Sequence, residues 1–285
     1  MRFLRDALKV YDNVVPTRVC AELSQDVAAA RARVEHLVFE PQQPKSRLER
    51  TLAALLHNAG DQSPYAEYWS RDEWKHIEAH SDVDERLAAA TSTLRFPNWG
   101  HVLYLSVGAS VRGPTCVFSV SSGAQLSAAG SAGCAVVPAV EGRLLRFHGS
   151  LLHAVPAPHD VWFQPFTSKP PRTAETRRSV VLFNTWDEPP AECATSVVQL
   201  ACDGGGCQPR AAWRDVPLRN DQREDDDDSS ARRGKVWLLG DENRRGQLAR
   251  TVAVDVSPRL VADMGQPSEP SIHRVRPDAS VTVHG

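Results

Sequence analysis

No stretch of this chain approaches the roughly 18 uninterrupted apolar residues of a membrane-spanning helix, and no bilayer segment is expected. The first ten residues, Met1 to Val10, carry charge throughout and lack the apolar core of a secretory leader. With 33 Lys and Arg against 35 Asp and Glu, the chain also lacks an excess of one sign. That balance removes the electrostatic footprint of a nucleic-acid binder, and nucleic acid is not an expected partner. Cysteine is sparse and scattered, with six in 285 residues. This spacing argues against a disulfide framework and for free thiols in a reducing compartment. The one close pair, Cys202 and Cys207, has no second ligand pair nearby and reads as a glycine loop with two thiols rather than a zinc site. These absences together lead us to expect a soluble, intracellular, cytoplasmic protein.

What is present is an ordinary globular balance, 41% hydrophobic and 24% charged, in a chain long enough for one sizeable core with appendages. Thr17 opens a helical pattern that runs to residue 39, with Val19, Leu23, Val27, Ala30, Val34 and Leu37 on one face. Ser46 and Glu49 form a capping-box signature for a second helix over 46–58, which Gly60 follows. From about residue 72 the period shortens to alternating β runs. Residues 119–135, rich in Ser, Gly and Ala, read as a loop. So do 157–177, where Trp162, Phe163 and Phe166 either line a substrate mouth or pack on the core. A charged stretch over 219–234 reads as a solvated linker. Lys235 to Gly240 and Arg250 to Val256 read as a hairpin over 235–256, and the residues from Pro267 onward are expected to be poorly ordered.

The chemistry-bearing residues lie on the β runs. His80-Ser81-Asp82 places an imidazole and a carboxylate two residues apart, on one side of an extended segment. Asp84 and Glu85 after it give the segment a solvated character. His101 to Leu105 is the next strand, with Tyr104 beside Val102. Phe147-His148-Gly149-Ser150-Leu151-Leu152-His153 then joins two short strands through a His-Gly-Ser turn. Arg178 to Trp186 closes the series with Arg178, Val180, Leu182, Asn184 and Trp186 on one face. His153 competes with His148, His101 and His159 as the distal histidine, and Arg177 competes with Arg178. Tyr104 and Thr115 are equally consistent with core roles, and Asn184 in an apolar strand needs a partner if buried. Two imidazoles and one carboxylate suit Fe(II) with open positions, whereas a structural zinc site would use thiolates.

The order His80 to Glu85, Val102 to Leu105, Gly113-Pro114-Thr115, Phe147 to Pro156 and Arg178 to Trp186 resembles the 2-oxoglutarate and Fe(II)-dependent dioxygenase superfamily, over about residues 65–190. The likeness is to an uncharacterised branch of that superfamily, from whose pattern His148, where the branch usually has an acid, is a departure, as is the long gap between His153 and Arg178. The resemblance implies a mainly β fold with N-terminal helices, a double-stranded β-helix (jelly roll) core buttressed by helices. It implies helical support over 1–65, a catalytic core over 66–190, and a C-terminal extension over 191–285. It further implies that His80, Asp82 and His153 hold Fe(II), and that Arg178, with Tyr104, binds 2-oxoglutarate as cosubstrate. The implied reaction hydroxylates a small molecule or a protein side chain and releases succinate and CO2. Two other classes fit the same residues: an inactive β-helix binding module, and a cupin-like metalloprotein without the keto acid.

Overall fold

A computed structural model describes residues 2–31, 36–74, 77–108, 113–156, 177–191, 194–195, 213–220, 232–238, 250–256, 259–260, 263 and 269–277. In chain order it begins with α1 (Arg2–Ala7), β1 (Leu8–Asp12), α2 (Thr17–Arg31), β2 (Leu37–Phe39) and α3 (Arg47–Asn58). There follow β3 (Tyr65–Glu73), β4 (Ile77–His80), α4 (Glu85–Thr91), β5 (Trp99–Val107), β6 (Thr115–Phe118) and α5 (Gly123–Ala129). Next are β7 (Ala132–Val137), β8 (Leu144–His148), β9 (His153–Val155), β10 (Arg177–Trp186) and β11 (Ala194–Thr195). The last are β12 (Arg214–Asp215), β13 (Arg219–Asn220), β14 (Arg232–Leu238), β15 (Arg250–Val256) and β16 (Ser271–Pro277). The protein is thus mainly β with few helices, and no helix among the described residues is long and apolar enough to cross a membrane.

The strands form two sheets, ordered β11-β2-β3-β10-β5-β8-β1-β12 and β13-β16-β15-β14-β4-β9-β6-β7. Alternation along the strands sorts side chains into three apolar clusters. Val102, Tyr104, Leu145, Phe147 and Val180 of the first sheet meet Val117, Ala135, Val137 and Ile272 of the second, forming the core between the sheets. The odd neighbours Leu103, Leu105, Val181 and Phe183 turn the other way, onto α2 and α3. Cys116, Phe118, Cys134 and Val136 turn outward from the second sheet to meet Leu126 of α5.

The capping box at α3 forms as its sequence signature predicts. The Ser46 hydroxyl accepts from the Glu49 amide at 3.1 Å, and the Glu49 carboxylate accepts from the Ser46 amide at 3.2 Å. Other expectations need correction. The helix read over 17–39 ends at Arg31, because Leu37-Val38-Phe39 pairs with β3 as a strand. The 119–135 stretch holds α5, capped by Ser122, and most of β7 rather than a plain loop. The stretch before residue 66 contributes β1 and β2 to the first sheet as well as helices.

Beyond residue 191, β14 and β15 do pair antiparallel, but β14 also meets β4 and β15 meets β16, so the hairpin lies inside a sheet. Residues 271–277, expected to be poorly ordered, form a strand against β7, with Ile272 buried between the sheets and Val275 buried on the opposite face beside α5. The ends of the charged stretch, at 219–220 and 232–234, are strand residues. Its acidic centre, the Cys202/Cys207 pair, His159 and the aromatics Trp162, Phe163 and Phe166 lie outside the described residues.

Candidate metal centre and its buried arginine

His80 ends β4 and His153 opens β9, and the two are direct partners across that antiparallel pair. Paired residues share a face of the sheet, so the ladder itself turns both imidazoles to one side. Their ring centroids lie 4.3 Å apart. Asp82 is not on the strand, as the sequence pattern suggested, but in the irregular segment after it. Its carboxylate still reaches both rings, 3.5 Å from His80 Nε2 and 3.7 Å from His153 Nε2. One donor atom from each of the three lies within 4.8 Å of the others.

The segment carrying Asp82 is anchored on both sides. The Ser81 hydroxyl faces the carbonyls of Ser121 and Ser150, at 3.3 and 3.2 Å, tying two loops of the second sheet to it. Asp84, expected to be solvated, is buried; it caps α4 by accepting from the Leu87 amide at 3.0 Å and pairs with Arg95. Across the core, the Asn184 amide donates to Asp82 Oδ2 at 3.0 Å. Asn184 is thereby the buried polar residue whose partner the sequence demanded, and it fixes the carboxylate that the two imidazoles face.

Protonation follows from these contacts. His153 Nδ1 lies 3.2 Å from the Leu151 carbonyl, which can only accept, so Nδ1 carries the proton and Nε2 presents a lone pair to Asp82. Burial, reinforced by His80, pulls the His153 pKa down to about 4 against the attraction of Asp82. For Asp82, burial opposes the charge, but His153, His80 and Asn184 outweigh it and hold the carboxyl well below the usual carboxylate range. The trio therefore sets a carboxylate and the neutral His153 nitrogen, with the His80 ring beside them, around one point, the donor set of a divalent first-row metal.

The packing beneath the trio depends on a residue that the sequence pattern did not single out. The Phe147 ring lies 4.8 Å from that of His153. It fits because residue 100 on β5 is glycine: a Cβ there would come within 2.8 Å of the Phe147 ring and 3.4 Å of Asn184 Oδ1. The signal for it is an isolated glycine within an apolar strand.

Arg178 lies on the same core. It is 2% exposed, whereas Arg177 points to solvent. Its Nε donates to the Gly113 carbonyl at 3.0 Å and its Nη2 to Thr115 Oγ1 at 3.1 Å, and its guanidinium lies over the Tyr104 ring at 5.2 Å. The Tyr104 hydroxyl and Thr115 Oγ1 share a 2.8 Å hydrogen bond. Among the described residues, no hydrogen bond or ion pair joins Arg178 to a carboxylate. Burial lowers its pKa, and Arg71 adds repulsion. Arg71 acts in the same direction on His153.

The rival histidines are placed elsewhere. His101 stacks on Phe183, on the helix-facing side of the first sheet, and bonds the Phe183 carbonyl. His148 is exposed and bonds Ser150.

No protein-family model matches the chain, and no curated protein matches it. Several solved structures are similar. HygX from Streptomyces hygroscopicus with iron bound shares 14% identity over 62% of this chain and 81% of that one, with a TM-score of 0.37. A Pseudomonas putida prolyl-4-hydroxylase shares 15% identity over 63% and 86%, with a TM-score of 0.37. The epimerase SnoN, in complex with Fe3+, alpha ketoglutarate and nogalamycin RO, shares 15% identity over 64% and 79%, with a TM-score of 0.42.

Proposed function

We propose that this protein is an Fe(II)- and 2-oxoglutarate-dependent dioxygenase with a jelly-roll core, hydroxylating a small molecule or a protein side chain. One observation carries the reading. A fully buried arginine that has no carboxylate partner among the described residues shares a core with a converging His80, Asp82 and His153. A buried cation with no counter-anion is costly, and a carboxylate that docks against it recovers that cost. A metalloprotein that uses no keto acid has no need of such an arginine, and a binding module has no need of the trio.

In this reading His80 Nε2, His153 Nε2 and one oxygen of Asp82 hold the metal, while Asn184 occupies the other oxygen. Arg178 receives the far carboxylate of 2-oxoglutarate through guanidinium hydrogens that Gly113 and Thr115 leave free. Tyr104 and Thr115 hold the guanidinium from beneath. Bound iron and keto acid would supply the oxidising chemistry, with the keto acid leaving as succinate and CO2. The chain's own work is to keep the donors neutral or anionic, to fix their directions, and to keep the arginine end dry.

The test is conversion of 2-oxoglutarate to succinate by Fe(II)-loaded protein in air, without added substrate. Slow succinate release that Arg178→Ala abolishes and Arg177→Ala spares supports the assignment. Release unaffected by Arg178→Ala would reject it.

A further inference from the structure

We propose that Trp74 is a positioning residue that sets the span between the metal trio and Arg178, and thereby selects the length of the dicarboxylate that bridges them. This rests on the function proposed above. Trp74 directly follows β3, and its indole contacts a backbone neighbour of each end of that span, Pro156 beyond the His153 strand and Gly113 beneath Arg178. The indole N–H donates to the carbonyl of Pro156 at 2.8 Å, and Pro156 directly follows β9, the strand that His153 opens. The ring also lies flush on Gly113. A Cβ at Gly113 would stand 2.6, 2.7 and 2.8 Å from three indole atoms, closer than any side chain tolerates. The carbonyl of that same Gly113 receives Arg178 Nε at 3.0 Å.

One rigid ring therefore stands between the strand carrying the distal histidine and the carbonyl that orients the buried guanidinium. Close-packed contacts of this kind transmit displacement rather than absorb it. A shift of the indole moves the Gly113 carbonyl, and a guanidinium held by one backbone and one hydroxyl acceptor follows. A ligand anchored at the metal by one end and at Arg178 by the other must match the distance that the ring maintains. Gly113 is the complement of the ring, since only a residue without a Cβ lets the indole sit this close.

The test is calorimetric binding of 2-oxoglutarate and of 2-oxoadipate, one methylene longer, to Ni(II)-loaded protein, which reports affinity without turnover. In a site of fixed length one methylene is worth about 10-fold or more, so the wild type prefers 2-oxoglutarate by that margin. Trp74→Ala is expected to lose 2-oxoglutarate affinity and to bring the preference to within about 3-fold. Trp74→Phe keeps the wedge without its tether and should fall between. Gly113→Ala, which displaces the ring while retaining it, should also narrow the preference; these two variants carry the test if Trp74→Ala does not fold. Folded variants that keep the wild-type preference would overturn the role of Trp74 alone. Wild-type protein that takes up Ni(II) but binds neither keto acid would overturn the proposed function beneath it.

Discussion

His80 and His153 face each other as direct partners across the β4–β9 pair, with ring centroids 4.3 Å apart. A two-stranded ladder thus brings together two of the three proposed metal ligands, and under that proposal removal of either ring should disable the site while the exposed His148 is dispensable. We expect His80→Ala and His153→Ala each to weaken Ni(II) uptake by roughly 100-fold or more, and His148→Ala to change it by less than about 2-fold, measured by titration calorimetry. Equal loss in His148→Ala would show that the distal ligand had been misassigned.

Asn184 donates to Asp82 at 3.0 Å, so in the proposed site it would act on the metal through that carboxylate alone. Its removal should therefore cost less than a ligand. Asn184→Ala is expected to reduce Ni(II) affinity about 10-fold, in the range of other residues that orient a ligand. Asn184→Asp sets a second carboxylate against Asp82; its repulsion should raise the pH needed for metal uptake further than the alanine variant, which loses only the hydrogen bond that helps keep Asp82 ionised.

Arg178 is buried and has no carboxylate partner among the described residues, so under the proposed function its loss should separate stability from binding. Arg178→Met fills similar volume without the charge, and its ligand-free melting temperature is expected not to fall. At a 2-oxoglutarate concentration about 100 times its Kd, the metal-loaded wild type should gain about 2.7 kcal/mol, and the variant none. A variant that melts far lower without ligand would indicate that the arginine mainly holds the core together.

His101 gives the fold a pH dependence of its own. Burial holds its pKa down to about 3, partly offset by Asp61, so the folded protein keeps it neutral through mild acid while the unfolded chain protonates it near 6.5. Its contribution is fully present above the unfolded value and is lost as pH falls from about 6.5 towards 3. The slope is about 1.4 kcal/mol per pH unit. The depressed carboxylates, Asp12 and Asp84 among them, act only below their ordinary value of 3.8. Denaturant unfolding between pH 7 and 4.5 should therefore show His101→Phe, which can stack on Phe183 in its place, losing less stability than the wild type.

Part of the candidate site was legible: strand alternation sets Arg178 on the same face as Asn184, and His153 stands at the position that the family resemblance implies. Asp82 lies off the strand that the pattern suggested, and the pairing of His80 with His153 is set by the register of β4 and β9, which only the fold shows. The capping box of α3 was legible because it is local. Leu37-Val38-Phe39 was absorbed into a helix because its apolar spacing continues that of α2, although a β-branched and aromatic run favours a strand. α5 was missed because Ser, Gly and Ala give little amphipathic signal, even with an N-cap at Ser122 and a left-handed Gly130 after its end. β16 was missed because its partner β7 is far away in sequence. The contact between Trp74 and Gly113 left no local trace at all, since only the fold brings the ring and the glycine together.

The most direct test of the central claim is the visible spectrum of the protein with Fe(II) and 2-oxoglutarate under anaerobic conditions. The account predicts a weak charge-transfer band from the chelated keto acid, absent in His80→Ala and, at equal ligand concentration, diminished in Arg178→Ala. Folded wild-type protein that shows no band at saturating Fe(II) and 2-oxoglutarate would contradict it.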